Sequence, residues 1–267
     1  MAKKLVIFGQ HTFLVPFQII DPIRLGNSKD GGYLVSCSSI TDADVVISFG
    51  LGSNITFERD ALKLNPRLIV QIYDHTVKVP KARMLLKIFC ASLIFWNFAL
   101  VLDALSFYVT YKKKQLTHYK KKVVGDSQNS QEIDIPEVFG ELQGKRIFLK
   151  VDIERDEYNI LYQILEVKEQ LKGLVIEFHD SSSHMHNIQK FIENLSPELE
   201  LVHFHGNNFS ELNTLGIPEV FELSFARFKD SDLKKRTEKL PNPIYDAPNA
   251  PNRADFEFEH ELNSKFR

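Results

Sequence analysis

The sequence predicts an α/β fold, a mostly parallel sheet with helices on both faces, and three observations predict it. From residue 44 onward, short apolar runs alternate with helix-like segments, the pattern of parallel strands joined by crossover helices. The runs are near-continuously apolar, as strands buried on both faces are. A glycine-rich turn, Gly50-Leu51-Gly52, stands between the first run and the helix after it, where a Rossmann-like sheet takes its ligand.

Residues 1–43 are read as an N-terminal extension. Its Arg24-Leu25-Gly26 and Asp30-Gly31-Gly32-Tyr33 segments carry the glycines of a tight turn and predict a hairpin in front of the sheet. Val45 to Phe49 reads as a strand, Thr56 to Leu64 as a helix ending at Asn65-Pro66, and Leu68 to Tyr73 as a second strand, together one βαβ unit. Residues 80–120 interrupt the repeat as an apolar helical insertion. Its Met84 to Val109 stretch is broken by Lys87, Asn97 and Asp103, short of the roughly 18 uninterrupted apolar residues of a spanning helix, so it predicts one or two buried or half-buried helices and no transmembrane segment. Lys112 to Lys114 and Lys120 to Lys122 read as solvated faces beside it.

The repeat resumes with a strand over Ile147 to Ile153, a helix through Tyr158 to Leu171 and a strand over Leu174 to Phe178. A helix over Ile188 to Leu195, a strand over Leu201 to His205 and a last strand over Val220 to Phe225 complete the sheet. Residues 240–267, with Pro241, Pro243, Pro248 and Pro251, predict an extended, irregular strap. All 267 residues are read as one domain, large enough to bury a core without staples.

Thirty-three Lys+Arg against 35 Asp+Glu give a net charge of −2, which supplies no basic field for nucleic acid. Two cysteines, Cys37 and Cys90, make no disulfide framework and favour a reducing, cytoplasmic setting. The apolar run Leu5 to Phe8 is too short for a signal-peptide core.

The Gly50-Leu51-Gly52-Ser53-Asn54 turn, with Asp74 closing the next strand 22 residues past Gly52, suits a nucleoside ligand whose ribose hydroxyls meet the acid. A nicotinamide dinucleotide fingerprint wants a third glycine at position 55, where this chain has Ile55. S-adenosylmethionine, which has no pyrophosphate, fits the pair better.

Several blocks then carry a family resemblance: Arg24-Leu25-Gly26 with Asp30-Gly31-Gly32-Tyr33, Phe49-Gly50-Leu51-Gly52 with Phe57-Glu58, and Phe148-Leu149-Lys150-Val151-Asp152-Ile153-Glu154. Leu174-Val175-Ile176-Glu177-Phe178-His179, His203-Phe204-His205-Gly206-Asn207-Asn208, and the tail Leu240-Pro241 with Asp246-Ala247-Pro248-Asn249 continue it. In order and spacing the chain resembles the FkbM-type methyltransferases. The resemblance implies a class I methyltransferase sheet, S-adenosylmethionine as cofactor, and O-methylation of a sugar, commonly in surface polysaccharide or secondary-metabolite pathways. The implied cofactor set is Asp30, Gly31, Tyr33, Gly50, Leu51, Gly52, Ser53, Asn54, Glu58, Asp74 and His75. Where the family has glycine after its Asp-x-Glu, this chain has Arg155.

Strand ends supply the reacting groups. Asp152 and Glu154 close one strand and Glu177 and His179 the next; His203 and His205 repeat the spacing, and alternate residues of a strand share a face. Two alternatives stay open. Asp152, Glu177, His179 and His205 form a candidate site for a divalent metal that would lower the pKa of the acceptor hydroxyl; or His179 or His205 serves as a metal-free general base, with Asp152 the central catalytic residue. His184, His186 and His203 are assigned to structural hydrogen bonds, and Lys150 and Glu154 to a structural ion pair. Asn207, Asn208, Asn249 and Arg253 are candidate contacts to a sugar or nucleotide-sugar acceptor.

Competing readings are a nicotinamide-dependent oxidoreductase, disfavoured by Ile55, and a non-catalytic membrane-surface assembly protein, motivated by the apolar stretch beside two lysine runs. The insertion is left open as a lid, a substrate wall or the dimer surface of a homo-oligomer.

Overall fold

The computed structural model describes residues 4–7, 9, 11–52, 54–77, 98–228, 234 and 240–259. Its centre is a seven-stranded sheet made of β4 (Val45–Phe49), β5 (Ile69–Tyr73), β6 (Leu116–Tyr119), β9 (Ile147–Val151), β10 (Leu171–Phe178), β11 (Glu200–Gly206) and β12 (Phe221–Ala226). The order across the sheet is β11-β12-β10-β9-β4-β5-β6. The strands from β6 to β10 run parallel, and β12 is antiparallel to both β10 and β11. This is the expected Rossmann-like, mostly parallel sheet, with its switch point between β4 and β9.

Alternation within single strands builds the two faces. Val45, Ile47 and Phe49 of β4 enter one core cluster with Leu174, Ile176 and Phe178, while Val46 enters the other with Val70, Ile72 and Phe148. Helices α1 (Cys37–Thr41) and α2 (Thr56–Leu64) cover the second face; α4 (Ile135–Gly140), α5 (Leu161–Glu166) and α6 (Ser181–Leu195) cover the first. The expected hairpin is β2 (Pro22–Gly26) paired antiparallel with β3 (Gly32–Ser36).

The tail is more regular than its prolines suggest. β13 (Phe256–Glu259) pairs in parallel with β1 (Lys4–Ile7), so the two ends of the chain meet in a ribbon. In the range read as a helical insertion, the described part contains α3 (Phe98–Tyr111) and then β6, the edge strand of the main sheet. Four apolar or polar residues gave too short a strand signal beside a long helical one. α3 is also not covered on all sides, since Leu102, Leu105 and Val109 are 65%, 49% and 55% exposed. Met84 to Asn97 lie outside the described residues. Short strands β7 (Lys122–Val123) and β8 (Glu132–Ile133) lead from the edge strand into α4.

The register sets the site. Phe49 pairs with both Tyr73 and Val151, so Gly50, Asp74 and Asp152 follow at one level along the carboxyl edge. Gly50 N donates to Tyr73 O and Asp152 N to Phe49 O, carrying that alignment one residue past the strands.

Candidate functional site

A cavity of about 440 Å³ opens at that edge. Its wall includes Asp30, Gly31, Gly50, Leu51, Gly52, Asn54, Asp74 and His75 on the first-turn side, and Asp152, Glu177, His179 and Asn207 on the other. Most of the residues singled out in the sequence are thus brought to one hollow. Ser53 lies outside the described residues.

The glycine turn is shaped by close approach. Gly50 has φ +81°, and a Cβ there would stand 1.7 Å from the carbonyl oxygen of Asp152. Only glycine fits both demands. The amides after it do not face the hollow: Leu51 N and Gly52 N donate to Asp74 Oδ2 at 2.8 and 3.0 Å. Thr76 donates to the other oxygen from N and Oγ1, at 2.7 and 2.6 Å. All four acceptor positions of the carboxylate are in use. Burial pushes Asp74 up, but these hydrogen bonds outweigh it and hold the carboxyl below its ordinary value.

Two members of the expected cofactor set, Tyr33 and Glu58, do not line the hollow. Tyr33 lies below the hollow with its hydroxyl donating to Asp152 Oδ2 at 3.2 Å. Glu58 is fully buried under the turn, accepting from Ser48 Oγ at 2.7 Å, and burial raises its pKa. Asn54, which does line the hollow, accepts from Thr56 N at Oδ1 in the turn before α2, while its Nδ2 reaches Asp30 O and ties the hairpin to the turn. Lys150 does not pair with Glu154. Its Nζ donates to Gly50 O at 3.1 Å and stands 3.9 Å from Asp152 Oδ2.

At the opposite wall, His179 Nδ1 lies 2.8 Å from Oε1 of Glu157, and its Nε2 lies 3.5 Å from Oε2 of Glu154. Burial opposes charge on this ring, but Glu157 and then Glu154 and Asp152 outweigh it and raise the His179 pKa. Glu157 also accepts from Arg155 N at 3.1 Å. That contact pins a turn in which Glu154 and Arg155 hold φ of +54° and +85°, so Arg155 adopts the left-handed backbone where the resembling family has glycine.

The four residues grouped for a metal do not converge. Asp152, Glu154 and His179 offer donor atoms within 4.8 Å of one another, whereas Glu177 and His205 stand apart from that trio. The cause is strand order. β12 lies between β10 and β11, so Glu177 and His205 each sit opposite Glu222 instead of opposite each other. Glu177 accepts from Asn207 Nδ2 at 2.8 Å, and burial, with Asp152 and Glu222 nearby, raises its pKa well above the carboxylate range. His205 is 2% exposed and does not line the hollow. Burial lowers its pKa, but the Glu222 carboxylate 3.7 Å away prevails and carries it up to about 9. A ring buried beside Glu222 and away from the hollow does not reach an acceptor or a metal held there.

Candidate acceptor contacts divide similarly. Asn207 faces the hollow. Asn249 Nδ2 bridges Asp30 and Glu222 at 3.1 Å each, holding the strap to the hairpin and sheet. Asn208 exchanges hydrogen bonds with Ala250, and Arg253 donates to Phe209 O over the Phe209 ring. Both fasten the strap and do not line the hollow.

Sequence reasoning missed Glu157 and Glu222. Glu222 had a legible signal, a lone carboxylate inside the apolar run Phe221-Glu222-Leu223. Glu157 had none, since an acid among acids in the segment after β9 reads as a solvated face.

No protein-family model matches the chain, and no curated protein matches its sequence. Among solved structures it is similar to precorrin-6y C5,15-methyltransferase from Geobacter metallireducens, at 14% identity and a TM-score of 0.38, over 72% of this chain and 85% of that one. It is also similar to an O-methyltransferase family protein from Burkholderia thailandensis, at 11% identity and a TM-score of 0.35, over 72% and 53% of the two chains. A third is an O-methyltransferase from neocarzinostatin biosynthesis in complex with S-adenosylmethionine, at 9% identity and a TM-score of 0.33, over 72% and 52%.

Proposed function

We propose that the chain is an S-adenosylmethionine-dependent O-methyltransferase in which His179 is the general base. The observation that carries this reading is the use made of the glycine turn. Leu51 N and Gly52 N, the amides that would cradle a dinucleotide pyrophosphate, are given to Asp74. A second anion at that turn would meet a carboxylate. The hollow instead presents Asp30, Asp152, Glu154 and Glu177 on its wall, a setting suited to a cofactor bearing a sulfonium and an ammonium. Gly50, Gly52, Asp30, Gly31, Asn54 and His75 would hold it, and its contribution is a methyl group already joined to a good leaving group.

The chain then has to align and deprotonate the acceptor. Glu157, on Nδ1, fixes the His179 tautomer with Nε2 free toward the hollow. Nε2 would take the proton of the acceptor hydroxyl, while the bound cofactor would supply the methyl group and its leaving group. Asp152 and Glu154 stabilise the resulting imidazolium. Asn207 and Glu177, whose carboxyl is pushed up by burial with Asp152 and Glu222 nearby, line the hollow and offer hydrogen bonds to neighbouring hydroxyls. In line with the FkbM-type resemblance, the acceptor we propose is a sugar hydroxyl on a small nucleotide-activated or polysaccharide-precursor molecule in the cytoplasm, not a nucleic acid.

Calorimetry with S-adenosylhomocysteine and with NAD, followed by incubation with S-adenosylmethionine and a panel of nucleotide sugars, tests the proposal. Binding of the first and a methyl mass gain on a sugar are expected; tight NAD binding alone would replace it with the oxidoreductase reading. A metal-assisted variant is favoured by the closeness of Asp152, Glu154 and His179. Turnover abolished by a chelator and restored by a divalent cation would assign His179 to the metal instead.

A further inference from the structure

The outer face of α3 is built differently from the rest of the surface. Its inner face is engaged: Ser106 Oγ accepts from Arg59 Nη1 at 3.1 Å, Phe107 and Tyr111 pack on the core beneath α2, and Thr110 is buried. On the other side Leu102, Leu105 and Val109 are spaced by three and four residues, so they form one stripe. Single exposed leucines are ordinary on soluble proteins. A stripe that runs into three consecutive lysines is less so.

After Val109 the chain passes directly into Lys112, Lys113 and Lys114, of which Lys112 and Lys114 are exposed. Lys120 to Lys122 follow β6; Lys121 and Lys122 line the cavity and are paired with Glu137 and Asp156, which leaves Lys112 to Lys114 as the basic run beside the stripe. No helix of the described residues is long and apolar enough to cross a membrane.

We propose that α3 is an in-plane docking helix for an anionic lipid bilayer: Leu102, Leu105 and Val109 enter the headgroup–acyl boundary while the flanking lysines meet lipid phosphates. An aliphatic stripe with cations that can snorkel to the headgroup level is the composition of an interfacial helix. Aliphatic burial and attraction to anionic lipid act together in such binding, so each alone is insufficient. The inference is independent of the reaction catalysed.

Co-sedimentation of the full chain with vesicles of phosphatidylcholine, alone or mixed with phosphatidylglycerol, tests it. Binding is expected to the mixed vesicles only and to fall with salt. Lys112→Ala with Lys113→Ala and Lys114→Ala should lower partitioning on the order of a hundredfold, at about fivefold per lysine. Leu102→Ser with Leu105→Ser should lower it roughly tenfold. Unchanged S-adenosylhomocysteine affinity in both variants shows that the fold is intact. The proposal is overturned if the chain sediments with neither vesicle, or if both variants partition like the parent. It is equally overturned if the leucine variant only converts a dimer to a monomer, which would give the stripe to a second copy of the chain.

Discussion

Glu157 Oε1 stands 2.8 Å from His179 Nδ1 and is fully withdrawn from solvent, so the His179 ring on the wall of the hollow is held from behind by a buried acid. Glu157→Gln keeps the shape and removes the charge. The kcat should fall on the order of a hundredfold with S-adenosylhomocysteine affinity unchanged. Because the carboxylate raises the His179 pKa, the rising limb of the kcat–pH profile should move to lower pH in the variant. An unmoved limb would remove His179 from the role of base.

Asp74 braces the turn through four hydrogen bonds. Asp74→Ala leaves two amides and the Thr76 groups without acceptors, and should weaken S-adenosylhomocysteine binding by about 1–3 kcal/mol while lowering the melting temperature. Its folded pKa is depressed, so its stabilisation is present above the unfolded value and is lost as pH falls through the folded one. Calorimetry and thermal melts read the two effects separately.

The two glycines of the turn should behave differently. At Gly52, φ is +56° and nothing lies within 4 Å of a new Cβ, so Gly52→Ala should cost about 1–2 kcal/mol from backbone strain alone. At Gly50 the new atom collides with the Asp152 backbone and forces β4 and β9 apart at their ends. Denaturant unfolding should show a loss of roughly 3 kcal/mol or more for Gly50→Ala.

High pH should loosen the strap. His205, raised to about 9 by Glu222, stabilises the fold in full below its unfolded pKa of 6.5, and that contribution disappears as pH rises through about 9. Glu222 also anchors the strap through Asn249, and Asp246 of the strap lies 3.0 Å from His203 Nε2. Amide exchange over residues 240–256 should therefore accelerate between about pH 7 and pH 10 beyond the intrinsic base-catalysed increase, and His205→Gln should abolish the excess.

Chelation should leave turnover intact if His179 is the base, because Glu157 and not a metal then sets its tautomer. Elemental analysis of the same sample should find no stoichiometric divalent metal.

The sequence by itself determined the parallel sheet, the hairpin, the Gly50-Leu51-Gly52 turn and the placement of Asp152 at a strand end. These have local causes: strands buried on both faces are written as unbroken apolar runs, and left-handed backbone at a turn selects glycine. The tertiary structure alone decided which groups meet. His179 finds Glu157 across 22 residues and Asn249 finds Asp30 across 219, separations at which no periodicity carries information. The same holds for strand order. An apolar run does not record its neighbours, so β12, inserted antiparallel between β10 and β11, moved His205 away from Glu177 and set Glu222 against both.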